Sequence, residues 1–315
     1  MDEEEKPSYV YGPVPSRRLG RSLGLDLVPY KVCTYDCIYC QLGRTTTKTT
    51  ERKEWAPTQE IMSQLKDRLD SKPDYITMSG SGEPTLHSSI GRLIEEIKGM
   101  TDVPVAVITN GSLLWLPEVQ TELLQADLVV PSLDAPSEDI FQYVNRPHPD
   151  ISFDRMLTGL REFRQVFRGQ YWLEVFLLAG VTTVEARVQA FSDCIKSIGP
   201  DKVQLNTVSR PPAQAYATGV PRDRLEGIAA RLYPATELIL PWSPTAETGK
   251  RDGGCDTVLD LLRRRPCSIA DVAAGLRLHP HEAAKCIEHL VSERKVQVKE
   301  QQGTLYFEAG PPGTV

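Results

Sequence analysis

The feature that most restricts the fold is a regular alternation between Asp26 and Asn206, in which short β-branched runs give way to longer amphipathic stretches. Strands are expected at 26–30, 74–79, 103–109, 127–131, 172–178 and 202–206. Helices are expected at 57–69, 89–97, 117–124, 151–166 and 185–198, where Ile61, Leu65 and Leu69 show the four-residue spacing of a buried helical stripe. Strand–helix alternation of this kind argues for parallel β/α units and an α/β fold. Six such units fall short of an eightfold barrel, and periodicity alone does not separate an open sheet from a partial barrel. Both architectures place function at the carboxyl ends of the strands.

The polar and glycine-bearing segments fall where that rule puts them. Ser79-Gly-Ser-Gly-Glu-Pro-Thr85 follows the second strand, Thr109-Asn-Gly111 the third, Ser132-Leu-Asp134 the fourth and Asn206-Thr-Val-Ser-Arg-Pro-Pro212 the sixth. After the first strand comes a loop with Cys33, Cys37 and Cys40, spaced C-x3-C-x2-C. Three thiolates are one short of a closed tetrahedral zinc site and one short of the usual four cysteines of a cubane cluster. The spacing therefore fits a [4Fe–4S] cluster with one open iron, and it also admits zinc. An odd number of thiols argues against a disulfide within the loop.

The C-x3-C-x2-C loop, with the aromatic Tyr39 before its last cysteine, resembles the signature of the radical S-adenosylmethionine (SAM) superfamily. The resemblance implies a partial (β/α)6 barrel. It implies a [4Fe–4S] cluster on Cys33, Cys37 and Cys40, whose open iron is chelated by the amino and carboxylate groups of SAM. One-electron cleavage of SAM then gives a 5′-deoxyadenosyl radical, which abstracts hydrogen from a substrate. A low-potential donor of the flavodoxin or ferredoxin type is implied as partner.

The strand-end residues take their expected roles from the same resemblance, each beside a plainer reading. Gly80, Gly82, Glu83 and Pro84 resemble the family's Gly-Gly-Glu-Pro motif, with Ser81 in place of its first adjacent glycine, and Glu83 is expected to meet the SAM ammonium. Their plainer reading is a strand-to-helix turn. Thr109 and Asn110 are expected at SAM or in a turn, and Ser132 and Asp134 at its ribose, unless Asp134 caps the next helix. Glu174, a charge mid-strand among apolar neighbours, is either functional or in an outward salt bridge. Asn206 and Arg210 are expected near adenine or substrate, and Arg146 with His148 at an anionic substrate group.

Upstream, the Gly- and Pro-punctuated stretch Tyr11–Gly24 carries Arg17, Arg18 and Arg21. These could bind phosphate or the SAM carboxylate, or line a solvated loop. Together with the Cys-Gln-Leu-Gly and Leu-Asn-Thr-Val-x-Arg-Pro-Pro segments, this stretch resembles the narrower wyosine-synthase-like Fe–S oxidoreductases over roughly residues 9 to 215. The archaeal wyosine-forming enzymes carry upstream cysteines for a second cluster, whereas no cysteine precedes Cys33 here. A small molecule or cofactor precursor is therefore the expected substrate, with tRNA or a protein as the alternative. Cys194, Cys255, Cys267 and Cys286 lie at non-motif spacings and are expected to be free, buried and apolar in behaviour.

Beyond Pro211, Pro212 and Pro221, a helix is expected at 222–232 and a late strand at 236–240. The division expected is an acidic tail at 1–8, the barrel at 9–242, a linker at 243–254 and a small domain at 255–315. The last part reads as three helices (256–264, 268–276 and 281–294, with a Ser268–Asp271 capping box) and a hairpin, resembling a winged helix. Its basic and acidic residues balance, and its third helix carries Glu282, Glu288 and Glu293. Phosphate contact favours a basic surface, so docking of protein or substrate is expected rather than DNA binding. The formal net charge of −6 agrees with that expectation. A zinc-stabilised winged-helix regulator is the non-enzymatic alternative. An acidic amino terminus, the lack of a long apolar run and cysteines without a secretion signal place the chain in a reducing cytoplasm, off the membrane.

Overall fold

The computed structural model describes residues 7–239, 254–301 and 303–309. It opens with a hairpin, β1 (Val10–Ser16) and β2 (Gly20–Asp26), paired antiparallel with Tyr11 opposite Gly24. This corrects two expectations. The first barrel strand is Gly20–Asp26 rather than 26–30, and the Pro- and Gly-rich lead-in is sheet rather than solvated loop. Prolines are compatible with β1 because it is an edge strand, where one side of the ladder needs no partner.

Two short bridging strands flank the cysteine loop, β3 (Val32–Cys33) and β4 (Thr47–Lys48). The β/α units follow: α1 (Thr58–Lys66), β5 (Tyr75–Ser79), α2 (Ile90–Lys98), β6 (Val105–Thr109), α3 (Pro117–Leu123), β7 (Leu128–Pro131), α4 (Glu138–Val144), α5 (Phe153–Val166), β8 (Gln170–Leu177), α6 (Glu185–Ile198), β9 (Lys202–Thr207), α7 (Arg222–Leu232) and β10 (Thr236–Leu238). Helix α4 is absent from the sequence reading. Its seven residues form about two turns, too few for the periodicity to show. The eight-stranded sheet runs β1-β2-β5-β6-β7-β8-β9-β10, parallel from β2 onward. β1 and β10 are its edges, so it does not close, and the expected α/β partial barrel is the fold found.

Parallel pairing puts the ends of β2, β5, β6, β7 and β9 along one rim, which brings the sequence motifs together. Beneath them lies one large apolar core containing Leu23, Ile76, Val107, Val129 and Leu173 with the inner faces of the helices. The strands read as near-continuous apolar runs because both of their faces are covered.

The carboxy-terminal part has its own apolar core, with Val258, Leu262, Val272, Ile287 and Phe307 among its members. It comprises α8 (Cys255–Arg264), α9 (Ile269–Leu276), α10 (Pro280–Ser292) and the hairpin β11 (Gln297–Gln301) with β12 (Thr304–Glu308), a helical unit with a hairpin consistent with a winged-helix-like unit. The capping box forms in both directions: Ser268 Oγ accepts from Asp271 N, and the Asp271 carboxylate accepts from Ser268 N. Cys255 and Cys286 are disulfide-bonded across α8 and α10, with Cα atoms 5.0 Å apart. The expectation of free thiols therefore fails for this pair, because helix packing joins positions that sequence spacing leaves unrelated. Cys194 and Cys267 are free, and Cys267 is buried. The expected linker lies outside the described residues apart from Gly254. Among the described residues no helix is long and apolar enough to cross a membrane.

Candidate active site

The rim encloses a cleft of about 420 Å³, within the range of small-molecule sites. Its walls gather Cys33, Cys37, Cys40, Tyr39, Gly80, Gly82, Glu83, Thr109, Asn110, Ser132, Asp134, Glu174 and Asn206, together with Arg17, Arg18 and Arg210. Four of the residues singled out in the sequence lie elsewhere, and Arg21, in β2, is the first of them. Pro84 starts the short 3₁₀ turn Pro84–Leu86, behind the wall. Arg146 donates to the Tyr216 hydroxyl at 2.7 Å, and His148 sits 3.3 Å from Asp150; neither lines the cleft.

The glycine segment acts first on the cysteine loop. Lys31 N donates to Ser81 O at 2.8 Å, and Glu83 N to Val32 O at 3.2 Å. A Cβ on Gly82 would lie 1.9 Å from Val32 O, and one on Gly80, whose φ is +115°, would lie 1.8 Å from Asp26 Oδ1. No other residue allows these approaches. What Gly82 admits is therefore the chain's own backbone, which fixes the loop against the end of β5.

Each thiol of the loop meets a side-chain N–H donor. Lys31 Nζ is 3.1 Å from Cys40 Sγ, Asn110 Nδ2 3.6 Å from Cys33 Sγ and Asn145 Nδ2 3.5 Å from Cys37 Sγ. Burial and the nearby Glu83 charge push the Cys33 thiol up to about 11. Burial, then Asp134, raises Cys37 well above its ordinary value. Without a cation the two thiols stay protonated, and thiolate ligation calls for one. Among the described residues no three of His, Cys, Asp and Glu gather around a single metal position.

Glu83 is buried and held from several sides. Its Oε1 accepts from Thr85 N (3.0 Å), Thr85 Oγ1 (2.7 Å) and Thr109 Oγ1 (2.6 Å), and its Oε2 from Asn110 N (2.7 Å). Burial still raises its pKa against those bonds. Thr109-Asn-Gly111 is thus more than a turn, since it ties the end of β6 to Glu83 and Asn110 to Cys33. Asp134 does not cap α4, where Ser137 is the N-cap. It accepts instead from the Tyr39 hydroxyl and from Asn145 Nδ2 (3.0 Å), while its Oδ1 is buried without a partner. Burial pushes it up to about 7 against those bonds. Tyr39 also stacks on Phe176, ring centroids 4.0 Å apart.

Glu174 points into the cleft, not outward. It pairs with Arg18 at 2.5 Å and accepts from Asn206 Nδ2 at 2.8 Å. Burial pushes its carboxyl up, but the Arg18 charge and these bonds together hold it below its ordinary value. Sequence reasoning missed Lys31 and Asn145, whose contacts with Cys40 and Cys37 are tertiary. The one available signal was that Lys31 lies two residues before Cys33.

The Radical SAM superfamily pattern matches residues 27–192, more than half of the chain. The chain belongs to the radical SAM superfamily. Use of SAM and of an iron–sulfur centre is a general property of that superfamily. Among curated relatives, a protein of Brachyspira hyodysenteriae named GTPase Obg is 38% identical over 309 residues, covering 96% of this chain and 45% of that protein. This chain spans less than half of that relative, and its sequence holds no G-x-x-x-x-G-K-[ST] phosphate loop. The UPF0026 protein of Helicobacter pylori J99 is 34% identical over 98% of this chain and 99% of its own. A tRNA 4-demethylwyosine synthase of Pyrococcus abyssi is 26% identical over 161 residues, 42% of this chain and 45% of that one. The crystal structure of a radical SAM methyltransferase from Sphaerobacter thermophilus superposes with a TM-score of 0.53 at 17% identity, covering 69% of this chain and 66% of that one. That likeness speaks for the fold alone.

Proposed function

We propose that the cleft holds a [4Fe–4S] cluster on Cys33, Cys37 and Cys40 with SAM beside it, and that the chain is a radical SAM enzyme acting on a small molecule or cofactor precursor. The observation that carries this reading is that three thiols, each met by an N–H, line the same cleft as the buried carboxylates Glu83, Asp134 and Glu174. The donor set fits the group: soft thiolates suit an iron–sulfur cluster, and N–H contacts to sulfur are part of how proteins tune one. When bound, the cluster and SAM supply reductive cleavage to methionine and a 5′-deoxyadenosyl radical, with the electron coming from a flavodoxin- or ferredoxin-type donor.

The remaining work belongs to the protein. Glu83, fixed by Thr85, Thr109 and Asn110, offers Oε2 to an ammonium. Asp134 and Ser132 offer oxygens to a ribose, with the unpartnered Asp134 Oδ1 the free acceptor. Glu174 and Asn206 orient one another at the adenine or substrate side, and Tyr39 on Phe176 forms an aromatic wall. The apolar core under the rim keeps water from below. We place the enzyme in the cytoplasm, with a barrel at residues 9–242 and a winged-helix-like domain at 255–315. A tRNA substrate, as in the name of the Pyrococcus relative, is the alternative. The acidic net charge and the balanced carboxy-terminal unit weigh against it.

The test is anaerobic purification with iron, sulfide and zinc assays, followed by reaction with dithionite and SAM. Cluster-dependent 5′-deoxyadenosine, abolished by Cys33→Ala, Cys37→Ala or Cys40→Ala, is the expected result. One zinc per chain and no iron after reconstitution would sink the proposal.

A further inference from the structure

Part of the cleft wall is built by two parts of the chain. From the barrel come Arg17 and Arg18, after β1, and Arg210, after β9; from the carboxy-terminal unit come Arg264 and Arg265, at the end of α8. Two of the five are spoken for: Arg18 pairs with Glu174, and Arg264 pairs with Asp26. Of the other three, only Arg210 reaches a carboxylate. Arg17 reaches only the Ser209 hydroxyl, at 3.4 Å, and among the described residues no carboxylate pairs with Arg17 or Arg265. Arg210 is 8% exposed. One of its terminal nitrogens lies 3.3 Å from Asp271 and another 3.5 Å from Gln41 Oε1, while its Nε is buried with no partner.

Five guanidiniums on this partly enclosed rim thus face three carboxylates, Asp26, Glu174 and Asp271, which leaves a surplus of two cations. Burying cations without counter-charge is costly, and such groups are normally paired. Arg17 is pushed down to about 10 by burial and by the charges of Arg210, Arg18 and Arg265, against the opposing pull of Glu174. The arrangement is held together across the two parts by the Tyr306 hydroxyl, which donates to Ser209 O at 2.7 Å, and by the Arg210–Asp271 contact.

We infer that Arg17, Arg210 and Arg265 form an anion subsite, shared between the barrel and the carboxy-terminal unit, that takes the phosphate group of a small phosphorylated substrate. A phosphate monoester brings about −1.5 to −2 charges at neutral pH and three strong acceptor oxygens. It therefore matches the surplus of two cations, and guanidinium forks suit its geometry. A carboxylate brings one charge and two oxygens, and leaves a cation over.

As a substrate subsite this rests on the radical SAM reading, but its test is a binding measurement that needs no turnover. Inorganic phosphate is titrated into the full-length chain, before and after cluster reconstitution, at constant ionic strength, by calorimetry and by ³¹P line broadening. Saturable binding is expected, weakened roughly tenfold or more by Arg17→Gln and by Arg265→Gln and unchanged by Arg92→Gln on the exposed face of α2. Three results would overturn the inference. One is the absence of saturable binding, or equal binding by both rim variants. The second is competition between SAM and phosphate, which would assign the arginines to the SAM carboxylate. The third is tRNA binding lost in the same variants while phosphate is not bound. Failure of the radical SAM reading is seen separately, in iron content and 5′-deoxyadenosine.

Discussion

The barrel and the carboxy-terminal unit bury different things. Under the barrel rim, Thr34, Glu83, Thr85, Thr109, Ser112, Asp134, Asn145 and Glu174 are all buried, wired to one another and to the thiols. In the carboxy-terminal unit every described buried residue is apolar or the single Cys267. Buried polar groups weaken a fold unless satisfied, and an apolar core of equal volume is usually as stable. A region that keeps so many is held to a task beyond stability. The carboxy-terminal unit keeps its polar groups for its surface, and presents Arg264, Arg265, Asp271 and Tyr306 to the barrel.

The contrast can be broken at either core. Leu262→Ala should cost about 2–5 kcal/mol, confined to the smaller unit. Hydrogen exchange should then quicken over residues 255–308 and leave the barrel strands protected; a uniform rise would show one cooperative core. Glu83→Ala strips the acceptor of four hydrogen bonds from Thr85, Thr109 and Asn110, and should cost about 4 kcal/mol at roughly 1 kcal/mol per lost bond. It should also remove SAM binding, as urea unfolding and equilibrium dialysis would show. Gly82→Ala forces a Cβ onto Val32 O, so a loss of about 1–3 kcal/mol should be accompanied by poorer iron retention. If iron retention were unchanged, the loop would be held by something other than that contact.

The smallest effect is of pH. His87 Nε2 donates to Ala56 O at 2.8 Å while Nδ1 accepts from Ser89 N at 3.2 Å, so the buried ring is neutral and a second proton would abolish one bond. Burial lowers its pKa from 6.5. A lowered folded value means that its contribution is complete above the unfolded pKa and fades as pH falls below about 6.5. His87→Gln should flatten that part of the stability–pH curve, measured in parallel with the wild type.

Much of this was legible in the sequence because parallel β/α units obey a position rule. Once strands were placed by their β-branched runs, the motifs had to converge on one rim; α6 and α7 fall where the apolar spacing put them. The hairpin at Val10–Asp26 was hidden by Pro13, Pro15 and three glycines, which read as loop punctuation and serve here in a strand pair at the sheet edge. Helix α4 was too short to show a period. Lys31, Asn145 and the Cys255–Cys286 pair have no local signature, since each matters only through a residue that the fold, not the sequence, makes its neighbour. Arg146 and His148 looked like a substrate clasp by residue type, but they lie on the outer side of the cysteine loop.

The contact between Gly82 and Val32 also bears on which substitutions the motif tolerates. Of the two adjacent positions before Glu83, Ser81 has room for its side chain at the cleft wall, and its amide is engaged by Asp26 Oδ1 at 2.8 Å. Gly82 has none, because a carbonyl of the cysteine loop fills the place where a side chain would begin. The departure from the family's glycine pair thus falls at the permissive position. A library of variants across 80–83 should accept small residues at 81 and return only glycine at 82, so two neighbouring positions would record opposite degrees of freedom.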